Sequence, residues 1–201
     1  KMSKSAGNFF TVRGISEEYD LEAVRMFLLS AHYRSPVNFS RALVEQAKAS
    51  LERLYTARDN AAFLLDSARD AQPDEAEREF MLRARRAVER FDAAMDDDLN
   101  TADALAAIFE FVRDMNTTLT AESSKAAIES ALGALGEMAG VLGLLTKEAD
   151  TTPEPVKALV EARAAAKKAK NFAEADRIRG EALALGYVIE DTPLGPKVRK
   201  A

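Results

Sequence analysis

Two groups of side chains have types and spacing that chemistry can use. The chain opens on Lys1-Met2-Ser3-Lys4-Ser5, with Gly7 close behind. Two lysines with two residues between them, interleaved with hydroxyls and lacking helical periodicity, make a flexible cationic loop. Such a loop can fold over a triphosphate and bring positive charge to where negative charge develops at phosphorus. The second group lies near the other end, where Lys167, Lys168 and Lys170 precede Phe172, and Asp176 follows four residues on. The lysines offer charge to phosphates. The ring can stack on an unpaired base, and the carboxylate, one helical turn away on the same face, can accept N–H donors from a base edge. Asp191, in the turn after a strand, is a further candidate. A second reading stays open, in which Phe172 is a core residue and Asp176 a solvated helix charge.

Other residue types narrow the chemistry. There is no cysteine, which excludes disulfides, thiolate metal sites and a cysteine nucleophile within this chain. The single histidine, His32, cannot build a multi-histidine zinc site and reads as a structural residue in a loop. The adjacent carboxylates of Asp96, Asp97 and Asp98 do not converge on one point and read as a solvated turn. Arg34 is a candidate contact for a nucleic-acid backbone. The chain carries 28 basic and 33 acidic side chains, a net of −5, so any polyanion must meet a local patch. Residues 74–114 hold twelve acidic and six basic groups, while residues 156–201 hold ten basic and six acidic ones. The first region should repel a polyanion and the last accept it. No apolar run approaches the roughly 20 residues of a membrane span, and no signal peptide is evident, so a cytoplasmic protein without membrane contact is expected.

The elements that must hold these groups are mostly helical, since alanine is abundant and β-branched runs are rare. A short extended piece is expected at Phe9–Val12, a helix start at Ser16, and a second helix from Asp20 with Leu21, Val24, Phe27 and Leu28 on one face. Pro36 marks a connection. Ser40 caps a long helix, and Gln72-Pro73-Asp74 ends it and starts another bearing Phe80, Ala84, Val88, Phe91 and Met95. Thr101 is the expected cap of the next helix. Residues 123–145 form one more, whose Gly133, Gly136, Gly140 and Gly143 are expected to admit another helix at close range. Thr151 to Pro155 reads as a linker. Helices over 156–170 and 172–185 follow, with Asn171 as cap between them and Gly186 just past the end. Short strands at 187–189 and 197–199 with a turn at 192–196 complete the chain. The organisation expected is residues 1–39 as loop and first helices, 40–150 as a helical bundle, 151–155 as linker and 156–201 as a small helix–helix–hairpin domain.

The string KMSKSAGNFFTVRGI resembles the signature loop of class I aminoacyl-tRNA synthetases. A chance match to its five-residue core arises on the order of once in a few million positions. AVRMFLLSAHYRSPVNFS, ERLYTA, AMDDDLNT, VLGLL and KAKNFAEADRIRGEALALGYVIEDTPLG resemble, in order, the C-terminal half of the cysteinyl-tRNA synthetase family. TADALAAIFEFVRDMN is similar to that family's helical bundle, the DALR domain. The resemblance implies a mainly α fold: the loop with stem-contact helices, an antiparallel DALR-like anticodon-binding bundle, and a small C-terminal αα-β-hairpin domain. It also implies a reaction, in which cysteine and ATP give cysteinyl-adenylate and the cysteinyl group passes to tRNA(Cys). Lys4, assisted by Lys1, would act on ATP, with Met2, Ser3 and Ser5 completing the ATP-binding loop. Lys167, Lys170, Phe172, Asp176 and Asp191 would bind the tRNA. Relatives often carry Trp where Phe172 stands and can carry Arg where Lys167 stands; lysine lacks the guanidinium fork. The family's HIGH-type motif and zinc-binding cysteines are not in these residues. By resemblance the chain is therefore part of a monomeric ligase, unable to form the adenylate alone. Two alternatives share some of these features: a cysteine:amino-sugar ligase with the same loop, and a non-catalytic RNA-binding helical module.

Overall fold

The computed structural model describes residues 11–147, 153–192 and 195–200; the candidate loop residues Lys1 to Ser5 lie outside them. The chain divides into two compact units at residues 147 and 148, and each is taken by itself.

The first unit is helical among its described residues. Its elements are α1 (Val12–Glu18), α2 (Leu21–Leu29), α3 (Arg41–Asp66), α4 (Glu75–Asp96), α5 (Thr101–Thr118) and α6 (Lys125–Val141). Side-chain caps set most of the starts. Asp20, Ser40, Asp74, Asn100 and Ser124 each accept a backbone N–H from the first turn of the following helix, satisfying donors that the helix itself leaves free. Asp74 and Glu77 form a reciprocal capping box. The apolar residues then recur every three or four positions: Val44, Ala47, Leu51, Leu54, Ala57 and Ala61 on α3, and Phe80, Ala84, Ala87 and Phe91 on α4. These faces meet Ala104, Ile108, Phe111 and Met115 of α5 and Ile128, Leu135 and Met138 of α6 in one core. Phe80 and Phe111 stack with centroids 6.2 Å apart.

Several local expectations change. Val12 is helical, not extended, because Thr11 accepts the Gly14 N–H and caps α1 there; the chain is already helical at Ser16. Asn100, not Thr101, caps α5: its amide oxygen accepts the Asp103 N–H. Leu21 and Leu28 are exposed, and α2 instead buries Ala23, Val24, Met26 and Phe27. Among the described residues no helix approaches the α6 glycines closely. A methyl group on Gly133, Gly136 or Gly140 would touch nothing within 4 Å, and the last two line an open groove of about 450 Å³. Gly143, just past the end of α6, differs from these three, with φ +64° and the Arg25 guanidinium against it.

A buried carboxylate fastens α2 to the end of the bundle. Glu22 accepts from Tyr55 Oη at 2.7 Å and from Thr146 Oγ1 at 3.2 Å. Tyr55 Oη in turn accepts the Lys147 N–H at 3.1 Å. Asp20 pairs with Lys147, and Arg58 donates to the Lys147 carbonyl. A second buried carboxylate, Glu77, receives N–H donors from Ser124 at 2.6 Å and Asp74 at 3.0 Å. Burial pushes its carboxyl up, but these donors and Arg69 outweigh that and hold it below its ordinary value.

The second unit holds α7 (Glu154–Lys168), α8 (Phe172–Ala184) and the antiparallel strands β1 (Tyr187–Thr192) and β2 (Gly195–Lys200). Helix α7 starts at Glu154, two residues before the expected Val156, because Pro155 fits the first turn, where no N–H is needed. The strands are also longer than expected, pairing from Tyr187↔Lys200 to Thr192↔Gly195. The core is small: Val156, Ala175, Ile178, Ala182 and Ile189, with the guanidinium-bearing Arg163 buried among them.

Candidate nucleic-acid interface

The turn between α7 and α8 builds the tip of a helical hairpin. Asn171 N–H donates to the Ala166 carbonyl and Lys170 N–H to the Lys167 carbonyl, both at 2.9 Å. This is the Schellman pattern that ends a helix. The residue after the cap is left-handed, and here it is Lys170, at φ +59°, where glycine is the residue of least strain. Asn171 then accepts the Glu174 N–H at 3.3 Å and starts α8.

Phe172 occupies the first position of α8 and is 62% exposed. The buried-core reading of this ring is therefore set aside: among the described residues the apolar core of the unit takes Ala175, Ile178 and Ala182 from α8, and Phe172 stays mostly exposed. Lys168 and Lys170 are exposed beside it, and Asp176 is exposed one turn beyond. A free aromatic face with cations on the adjoining turn fits a single-stranded nucleic acid, since stacking serves any base and the cations serve the backbone.

Asp191 on β1 has a different environment from the solvated turn expected. Arg163 Nη1 donates to its Oδ1 at 2.7 Å and Nη2 to its Oδ2 at 2.9 Å. Lys167 Nζ reaches Oδ2 at 2.8 Å. The Arg163 fork and then Lys167 hold the Asp191 carboxyl well below the ordinary carboxylate range. Lys167 thus has an internal partner, while Asp191 remains half exposed. Arg177 is bound within its own helix by Glu174 and Glu181, and Arg199 pairs with Glu190 across the hairpin. Arg163 carried no signal in the sequence, because a lone arginine in an Ala-rich helix looks solvated; its burial comes from the hairpin folding back over it.

In the first unit, Asp98 is an exposed turn residue as expected and is also an anchor. It stands at φ +56°, accepts from Tyr33 Oη at 2.8 Å and pairs with Arg34 at 3.1 Å. His32 stacks on Tyr33 at 4.8 Å. Its Nδ1 accepts the Arg34 N–H at 3.2 Å, and its Nε2 faces Asp98 at 3.8 Å. Among the described residues no group of three histidine or carboxylate side chains converges as metal ligands would. Among the described residues no helix is long and apolar enough to cross a membrane.

Three family models match consecutive parts of the chain. They are the tRNA synthetases class I (C) catalytic domain over residues 1–49, the DALR domain over 90–146, and the cysteinyl-tRNA ligase anticodon binding domain over 149–199. Among curated proteins the chain is 49% identical over 203 residues to a cysteine–tRNA ligase of Symbiobacterium thermophilum. It is 46% identical to that of Lachnospira eligens and 45% identical to that of Caldicellulosiruptor saccharolyticus. Each alignment takes in 100% of this chain and 43% of the relative. The chain therefore spans less than half the length of the relatives it matches.

Proposed function

We propose that this chain, matched along its length by models of the cysteinyl-tRNA synthetase family, belongs to that family and supplies the nucleotide loop and the tRNA-gripping arm of a cysteine–tRNA ligase. The ligase activates L-cysteine with ATP to cysteinyl-adenylate and transfers the cysteinyl group to tRNA(Cys). Lys4, with Lys1 beside it, stabilises the charge that grows on the phosphates as the cysteine carboxylate attacks the α-phosphorus and pyrophosphate leaves. Met2, Ser3 and Ser5 shape the same loop. Their contribution is to the transition state more than to ground-state binding. At the other end Lys167 and Lys170 meet backbone phosphates, Phe172 stacks on an anticodon base, and Asp176 and Asp191 accept from base N–H groups. Zinc, in this reading, belongs to residues outside this chain. The protein acts in the cytoplasm as a monomer.

The observation that carries the reading is the exposed Phe172 on a strained, lysine-flanked tip, within the segment matched by an anticodon binding domain. That segment also favours the tRNA ligase over the cysteine:amino-sugar ligase, which has no anticodon to read. The test is a pair of substitutions in the full-length ligase. Lys4→Ala is expected to slow ATP–pyrophosphate exchange with little change in tRNA affinity, and Phe172→Ala to weaken tRNA binding while sparing the exchange. Equal damage to both activities by either change would refute this division of labour.

A further inference from the structure

We infer that Arg163 is a positioning residue for anticodon discrimination: it fixes the Asp191 carboxylate in the plane that a base-reading acceptor needs. The inference rests on the proposed tRNA contact at this unit and extends it to a residue that touches no RNA.

The argument begins with an anomaly. Arg163 is 5% exposed in the smallest core of the molecule, and its Nε has no hydrogen-bond partner. A buried, incompletely paired guanidinium is a poor way to hold a fold together, since an apolar side chain of similar volume serves as well. Its remaining nitrogens are spent on one group, the fork to Asp191 at 2.7 and 2.9 Å. The charge of Asp176 on α8 also acts on Arg163. The buried cation thus binds one of the two carboxylates assigned to base recognition.

The geometry then limits what Asp191 can do. A carboxylate has about four acceptor directions. The fork takes one on each oxygen, and Lys167 takes another on Oδ2. What remains is on Oδ1, on a side chain that is half exposed. The fork defines the carboxylate plane, which a single ammonium does not. An anion kept ionised only accepts, so it favours a base edge offering N–H and rejects one offering a lone pair. Lys167, flexible and partly exposed, can pass to a phosphate when RNA arrives without loosening that plane.

The test is discrimination rather than affinity. Dissociation constants are measured for this protein with a tRNA(Cys) transcript and with transcripts changed at each anticodon base in turn. The wild type is expected to prefer the unaltered transcript at one anticodon position by on the order of tenfold. Arg163→Lys and Asp191→Asn should each cut that preference to about twofold or less, and the double variant should be no worse than Asp191→Asn alone. Arg163→Gln, which keeps a donor without the charge, is the second variant should the lysine form not fold. A purely structural Arg163 would instead lower Tm and weaken every transcript by one factor with the preference intact, overturning the inference. Additive losses in the double variant would also overturn it. Preserved discrimination in Arg163→Lys alongside weak binding by Phe172→Ala would sink this inference alone. Phe172→Ala binding as tightly as the wild type would sink the tRNA reading beneath it.

Discussion

The bundle and the C-terminal unit are stabilised by different physics. The bundle buries Phe80, Phe91 and Phe111 with Ile108, Ile128, Leu135 and Met138 in one continuous apolar core. The C-terminal unit buries five aliphatic residues and an arginine whose charge is answered from the strand. A core of that size is marginal, and its ion cluster lies within the proposed binding surface. The lesson is that the bundle can be stable without reference to ligand, whereas in the small unit the groups that hold the fold are also those proposed to meet RNA. Charge divides the same way: residues 74–114 carry twice as many acidic as basic groups, and the end of the chain is net basic.

The largest effect that would sharpen the contrast is in the bundle core. Phe80→Ala should lower the stability of the first unit by about 3–5 kcal/mol, read by denaturant unfolding, with tRNA affinity in the folded protein unchanged. A parallel loss of affinity would show that the two regions are not separable. Next, Phe172→Ala should cost about 1–3 kcal/mol of tRNA binding, the worth of one stacked base, with an unchanged Tm because the ring is exposed. Smaller again is Glu77→Gln, expected to cost about 1–2 kcal/mol at neutral pH. The folded carboxyl lies below its ordinary value, so the unfolded chain takes up the proton first as pH falls. The contribution of Glu77 is complete above the unfolded value of about 4.3 and is lost as pH drops through the lower folded value. Melting curves from pH 7 to 3 should show wild type and variant converging at the acid end. The smallest change is Lys170→Gly. Relieving the left-handed lysine should raise stability by about 0.5–1 kcal/mol while weakening tRNA binding. A variant that gains stability and keeps its affinity would show that the strain serves no contact.

Much of this architecture was legible because its causes are local. Ser40, Asp74 and Asn171 stand three residues before the N–H groups they cap, and Gly186 follows its helix with φ +84°. The same locality explains the small errors. Asn100 and Thr101 are both competent caps, and only the path of the chain through the left-handed Asp98 and Leu99 selects Asn100. The glycines of α6 looked like a packing face, but a spacing cannot say whether a partner arrives.

What the sequence alone determined is the helix-rich order of elements, the family resemblance, the candidate loop at 1–5 and the basic, aromatic tip at 167–172. Each follows from interactions within about one helical turn or from the identity of consecutive residues. The tertiary structure decided what joins across the chain: Asp98 with Tyr33, 65 positions apart; Glu22 with Thr146, 124 apart; and Arg163 with Asp191, 28 apart. Burial decided the rest, leaving Phe172 outside and Arg163 inside. A side chain's exposure depends on which distant segment folds over it, and no local periodicity carries that information.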